Sequence, residues 1–292
     1  MQSFETPDPI SVSVDLGVGD VQISATERSD TMVDVRPTDP DDKRDIAAAE
    51  QTTVEYANRR LLVRTPKKWR HWTLRGGGES VDLRIDLPAG SALHIETGVA
   101  SIRCGGPLGE CHLKTGVGDI EADEVGSAEI KSGAGDITLD RVEGAAEVTS
   151  GSGSIGIAAV GGRAVVRNGN GDTWIGEVGG EARVNAANGR ISIDRASAGV
   201  VAKTANGPVR LGEVDRGAIV AQSAFGPIEV GVRDGVAVWL DLDTKYGNVQ
   251  NDLDAAERPG PTDDVVEIHA HTSMGDITVR RAAGTGVLRA RS

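Results

Sequence analysis

Several groups of side chains in this sequence have the type and spacing to do chemistry. His94 and His112 stand one repeat apart, and His269 and His271 alternate within EIHAHTS, so either pair could offer two imidazoles to a transition metal. Neither pair has a third ligand at a matching spacing, so both read as solvated surface histidines and no metal is expected. Asp119, Asp136 and Asp172, with Asp20 and Asp276 in outlying positions, each follow a glycine and suggest calcium at turns. The calcium-binding β-roll, however, draws its ligands from adjacent turns of a nine-residue repeat, and here Ser154, Arg190 and Pro208 interrupt the column. These aspartates read instead as hydrogen-bonding their own turn backbone.

Catalytic signatures are equally thin. Asp123 and Asp140 form the one adjacent carboxylate pair that could serve polysaccharide cleavage, a reaction that needs clustered carboxylates facing a groove. GSGS at 151 to 154 leads into a strand and lacks the helix a phosphate cradle requires. The expectation is therefore a non-enzymatic protein with no cofactor. Binding residues are easier to nominate. Trp174 falls on an outward column beside Arg210, and an outward tryptophan marks binding surfaces. Lys114, Lys131, Arg167 and Lys203 form a basic stripe, set against Glu121, Asp123, Asp140 and Asp194 beyond the turn.

The element that must position all of these is a repeat of strand, Gly-x-Gly-Asp, strand and turn. Its second glycine falls at Gly118, Gly135, Gly153, Gly171, Gly189, Gly207 and Gly226, giving steps of 17, 18, 18, 18, 18 and 19 residues. Down the columns, like stacks on like: Ala146, Ala164 and Ala182; Val148, Val166 and Val184; after the turn Ile137, Ile155 and Ile191, then Leu139, Ile157, Ile175 and Ile193. Polar residues lie between them, which is the period-two alternation of a half-buried strand. The pattern predicts an all-β parallel solenoid with coils of about 18 residues. Glycine at the corner supplies positive φ, and Asn170, Asn188 and Asn206 just before it read as further left-handed positions.

The whole chain reads as one domain, 1–292. Residues 1–90 form an N-terminal cap with irregular coils, a short helix near Asp41 to Thr52 and a hairpin through Asn58; residues 69 to 80 look like an exposed loop. Regular coils span 91–235, two degraded copies around Gly247 and Gly275 fill 236–282 with the polar loop AAERPGPTDD between them, and 283–292 is a flexible tail. Caps at both ends argue against the rival reading of a self-assembling structural element, so a monomer is expected.

Composition sets the remaining limits. With 3% aromatic residues and 39 glycines, the interior must be narrow and filled by Val, Ile, Leu and Ala. A formal charge of -13 opposes nucleic-acid binding. Cys104 and Cys111 are too few for a disulfide framework and read as small buried side chains. No stretch approaches the ~20 apolar residues of a membrane helix, and MQSFETPDPISVSV has no basic then apolar leader, which points to the cytoplasm.

From ISVSVDLGVGDVQI through SMGDITVRRA, the TGxGDI-type copies resemble a bacterial family of β-strand-repeat proteins of unknown function, adhesin-like in label. The resemblance implies a right-handed, single-stranded β-helix without established enzyme activity. Flat, rigid faces that present Trp174 and the charged columns point to a scaffold or binding protein for a protein or glycan partner.

Overall fold

Alternating residues on either side of a glycine corner give each repeat two short strands, and a computed structural model of the chain shows how these stack. It describes residues 1–65, 79–253 and 265–282. The loop expected at 69 to 80 (apart from its last two residues), AAERPGPTDD and the tail 283–292 lie outside the described residues.

Every regular coil lies in parallel register on the next. Val148 pairs with Val166 and Val166 with Val184, all fully buried. Beyond the corner, Ile155 pairs with Thr173 and Thr173 with Ile191. Thr173 holds an inward position in the isoleucine column and is also buried, 3.5 Å from the amide nitrogen of buried Asn168. Burying an aliphatic side chain yields about 1.5–3 kcal/mol. Ordering a residue costs about 1–2 kcal/mol, so a lone coil gains too little to fold. Stacking also satisfies the backbone, because each corner N–H donates to a carbonyl of a neighbouring coil, as Gly153 does to Asn170 at 2.8 Å.

The corner glycines have φ between 129° and 153° from Gly118 to Gly226. There is a second constraint: a Cβ on Gly171 would collide with the carbonyl of Gly153 in the coil beneath. Asn170, Asn188 and Asn206 are not left-handed, contrary to expectation, since the positive-φ residues other than glycine among the described residues are Asn58 and Arg59. Their amides form a ladder instead, Asn206 Nδ2 donating to Asn188 Oδ1 and Asn188 Nδ2 to Asn170 Oδ1, each at 2.8 Å. A further inward row of small polar residues escaped the sequence reading. Thr115, Thr204, Ser223 and Thr272 are buried beside the corner and donate to carbonyl oxygens there.

Both ends break the sequential order. Strands Ser11–Val18 and Val21–Thr26 pair directly with Ala92–Val99 and the start of Ile102–Val117, while Arg60–Arg64 and Val81–Pro88 pack on their outer side. At the other end Val265–Met274 and Ile277–Arg281 slot between the coil at Gly217–Val232 and the strands Ala237–Tyr246 and Val249–Asp252. The degraded copies are thus stacked in reverse of their order in the chain.

The N-terminal end is covered by a hairpin and a helix. Thr53–Ala57 pairs antiparallel with Arg60–Arg64 through a two-residue turn at Asn58 and Arg59 (φ 51° and 62°), the geometry that suits a twisted hairpin. The helix Lys43–Gln51 starts at Asp42, whose side chain accepts from Arg44 N, and its buried Asp45 accepts from the backbone of Asp39 and Ser80. At the C-terminal end the expected cap is not found among the described residues: Ala237–Tyr246 pairs on one side only, and its inward Val238, Leu240 and Leu242 stay half-buried. Asp241, Asp243 and Lys245 on this edge oppose strand addition by another chain. No helix among the described residues is long and apolar enough to cross a membrane.

Cys104 and Cys111 are free and buried, and burial pushes the Cys111 thiol up to about 12 and that of Cys104 well above its usual value. Both are therefore neutral thiols at pH 8, so the native protein should not react with Ellman's reagent there, whereas the denatured chain should release two thiols. Gly171→Ala should lower stability by more than ~2 kcal/mol, combining a positive φ with the clash. Gly235→Ala, with φ 79° and nothing within 4 Å of a new Cβ, should cost only about 1 kcal/mol. Urea-denaturation midpoints of the two variants check this; equal losses would contradict the stacking constraint.

Candidate binding groove

Trp174 stands on the outer side of Thr173–Val178, in a row that takes one residue from each successive coil: Gly156, Trp174, Ser192, Arg210 and Glu229. Coils repeat at about 4.8 Å, so Trp174 and Arg210 are separated by the width of two coils with only a serine between them. Ser192 is 9% exposed, sheltered between its large neighbours. At the adjacent corner the residues after glycine are Asp172, Arg190, Pro208 and Pro227, and the two short prolines leave the corner low. A groove of about 600 Å³ results, lined by Trp174, Ser192, Asp194, Arg210, Pro208 and Pro227 among others.

The indole is tethered. Its N–H donates to Asp194 Oδ2 on the next coil at 2.8 Å, and glycines at 156 and 176 make room for the ring. Trp174 nevertheless remains 42% exposed. The carboxylates of the groove have partners: Glu229 Oε1 accepts from Arg280 at 2.6 Å, and Asp172 Oδ1 accepts from the Arg190 backbone at 2.8 Å. The guanidinium groups of Arg190 and Arg210 have no ion pair among the described residues. A planar apolar ring and two unpaired guanidinium groups suit a ligand that carries both an apolar face and an anion.

The family model described as Toastrack DUF4097 matches residues 10–280. This chain belongs to that family. No curated protein matches. Among solved structures, the chain is similar to a putative cell adhesion protein from Clostridium sporogenes ATCC 15579, at 12% identity over 96% of this chain and 98% of that one, TM-score 0.25. It is also similar to putative adhesins from Bacteroides fragilis NCTC 9343 (12% identity, 95% of each chain, TM-score 0.38) and Parabacteroides distasonis ATCC 8503 (13% identity, 95% of each chain, TM-score 0.31). At such identities and scores the likeness says nothing of what this Toastrack chain binds.

The basic stripe exists as a register row but is not a bare positive face. Lys114, Lys131, Arg167 and Lys203 fall in one row with Thr149 and Asn185 between them. Lys131 Nζ lies 2.6 Å from Glu129 and Arg167 2.7 Å from Glu147, both in the neighbouring row, and Lys114 lies 4.0 Å from Glu96 in its own row, so carboxylates cancel most of the charge. Lys203 is the member without an ion pair among the described residues. The stripe lies on the strands before the corner and the groove on those after it, so the two sets of nominated residues occupy different faces.

The aspartate column serves a purpose different from the expected one. Asp119 Oδ1 accepts from Asp136 N at 2.8 Å, Asp136 Oδ1 from Ser154 N at 2.7 Å and Asp172 Oδ1 from Arg190 N at 2.8 Å. Each carboxylate clips its coil to the next one rather than bonding its own turn. At the C-terminal end Asp276 accepts from Asn248, so the clip follows spatial and not sequential order. Asp123 Oδ2 accepts from Gly106 N at 3.1 Å, and neither Asp123 nor Asp140 lines the groove. His94 and His112 do stack, with ring centroids 6.0 Å apart, but both nitrogens of His112 lie against carboxylates, Glu110 at 3.0 Å and Glu129 at 3.1 Å.

Proposed function

We propose that this Toastrack protein is a non-enzymatic binding protein, and that its groove takes an anion-bearing segment of a protein or glycan partner against Trp174 and Arg210. The observation that carries this reading is a half-exposed indole fixed by Asp194, two coils from a guanidinium group without an ion-pair partner. Tryptophan and arginine dominate binding energy where they are found at interfaces. Here both project from strands locked in register, so little side-chain and no loop ordering is needed on binding, which reduces the entropic cost of association. The paired stripe on the other face has no comparable unpaired cluster.

Pull-down from the extract of the source cells, quantified by mass spectrometry and by glycan labelling, tests the assignment. Trp174→Ala and Arg210→Ala should each reduce the specific partner at least tenfold, and Ser192→Leu should do the same by filling the gap between them. Lys203→Ala on the other face should leave recovery unchanged. Equal recovery with the wild type and all three groove variants would refute the proposal.

A further inference from the structure

The reversed stacking at the C-terminal end brings together three groups that the sequence holds apart. Asp241 on Ala237–Tyr246 is the register partner of His269 on Val265–Met274, and Asp243 is that of His271. All three of Asp241, His269 and His271 project outward. Asp241 Oδ2 lies 3.1 Å from His269 Nδ1 and 3.6 Å from His271 Nε2, and the candidate ligand atoms of the three residues lie within 4.8 Å of one another.

Without an ion, Asp241 and His269 are hydrogen-bonded at 3.1 Å, and the same spacings suit the ligand shell of a metal ion. Ligands at about 2.0–2.1 Å from tetrahedral zinc are themselves separated by about 3.3 Å, so both carboxylate-to-imidazole spacings already suit a common ion. The ligand nitrogens of the two imidazoles lie no more than 4.8 Å apart.

A second observation is independent of the triad. Glu267 Oε1 lies 3.4 Å from His269 Nε2, the nitrogen that faces away from Asp241. A carboxylate on the far nitrogen of a ligating histidine fixes its tautomer and ring orientation, an arrangement that recurs at metal sites. The charge also fits, because neither Asp241 nor Glu267 has a lysine or arginine partner among the described residues. At the other histidine pair, by contrast, lysines already share the flanking carboxylates, Lys131 that of Glu129 and Lys114 that of Glu96.

We infer that Asp241, His269 and His271 bind a divalent transition cation of the zinc class, with Glu267 as a positioning residue and a remaining coordination position open to water or to a partner's ligand. Two nitrogens and one oxygen select such an ion over calcium or magnesium, which take all-oxygen sites. Because Asp241 belongs to the outermost strand and both histidines to the strand beneath, the ion ties down the end of the solenoid that is paired on one side only. The site lies on the face before the corner, so it stands independently of the groove reading.

Isothermal titration of the tag-free chain with zinc chloride, with cobalt(II) absorption as a second readout, tests the inference. The expected result is one ion per chain, tetrahedral-type cobalt bands and a thermal midpoint that rises with added zinc. Affinity should fall at least tenfold in His271→Ala and in Asp241→Asn, with the rise in thermal midpoint lost. Glu267→Gln should weaken binding about 10- to 100-fold while keeping the cobalt spectrum. The paired substitution His94→Ala and His112→Ala should change nothing. Absence of stoichiometric binding, undiminished binding in the paired substitution His269→Ala and His271→Ala, or loss confined to the His94 and His112 variant would each overturn the inference. Circular dichroism of each variant confirms that it is folded before titration.

Discussion

The corner of each coil leaves no room for a Cβ. Strands in register are about 4.8 Å apart, and at Gly153, Gly171 and Gly189 the chain turns through positive φ directly over the carbonyl of the coil beneath. That contact fixes where each coil sits on its neighbour, and the register of both flanking strands follows. Once it is set, the isoleucine and valine columns close the interior, the buried hydroxyl row reaches the corner carbonyls, and each aspartate after a glycine meets the N–H of the next coil. The clip, the amide ladder and the core are consequences of the same spacing.

A lattice this regular makes surface features by substitution within a row. The groove exists because Ser192 and two prolines fall where neighbouring coils carry larger side chains, with Trp174 and Arg210 left standing on either side. The same logic explains the basic stripe. Residues two apart on a strand share a face, so Glu129 beside Lys131 and Glu147 near Arg167 neutralise what looks in a single column like a cationic surface. Charge on a solenoid face has to be read across rows as well as along them.

The two ends share a device. In each, a coil that is interior in sequence becomes the outermost in space, and the segment nearer the chain terminus stacks between it and the regular body. At the N-terminal end antiparallel strands and the helix Lys43–Gln51 cover the result, joined by Asp45 accepting from two backbone N–H groups. At the C-terminal end the reversal places Asp241 beside His269 and His271.

The parallel solenoid, its coil length, the inward columns, the hairpin through Asn58 and the burial of both cysteines were legible in the sequence, because each depends on periodicity or on a local turn that repeats. The outward row of Trp174 and Arg210 was legible for the same reason, as was the stacking of His94 on His112. What lies opposite what across a break in the repeat was not. Backbone pairing is the same for any two strands, so no residue in SVSVDLGV or AVWLDLDTKY states which strand it will meet. Only the folded chain decides that Ser11–Val18 meets Ala92–Val99 and that Ala237–Tyr246 lies outside Val265–Met274. The third ligand beside the histidine pair, the pairing of the stripe and the depth of the groove all follow from such choices, since each depends on side chains from strands that sequence distance does not order.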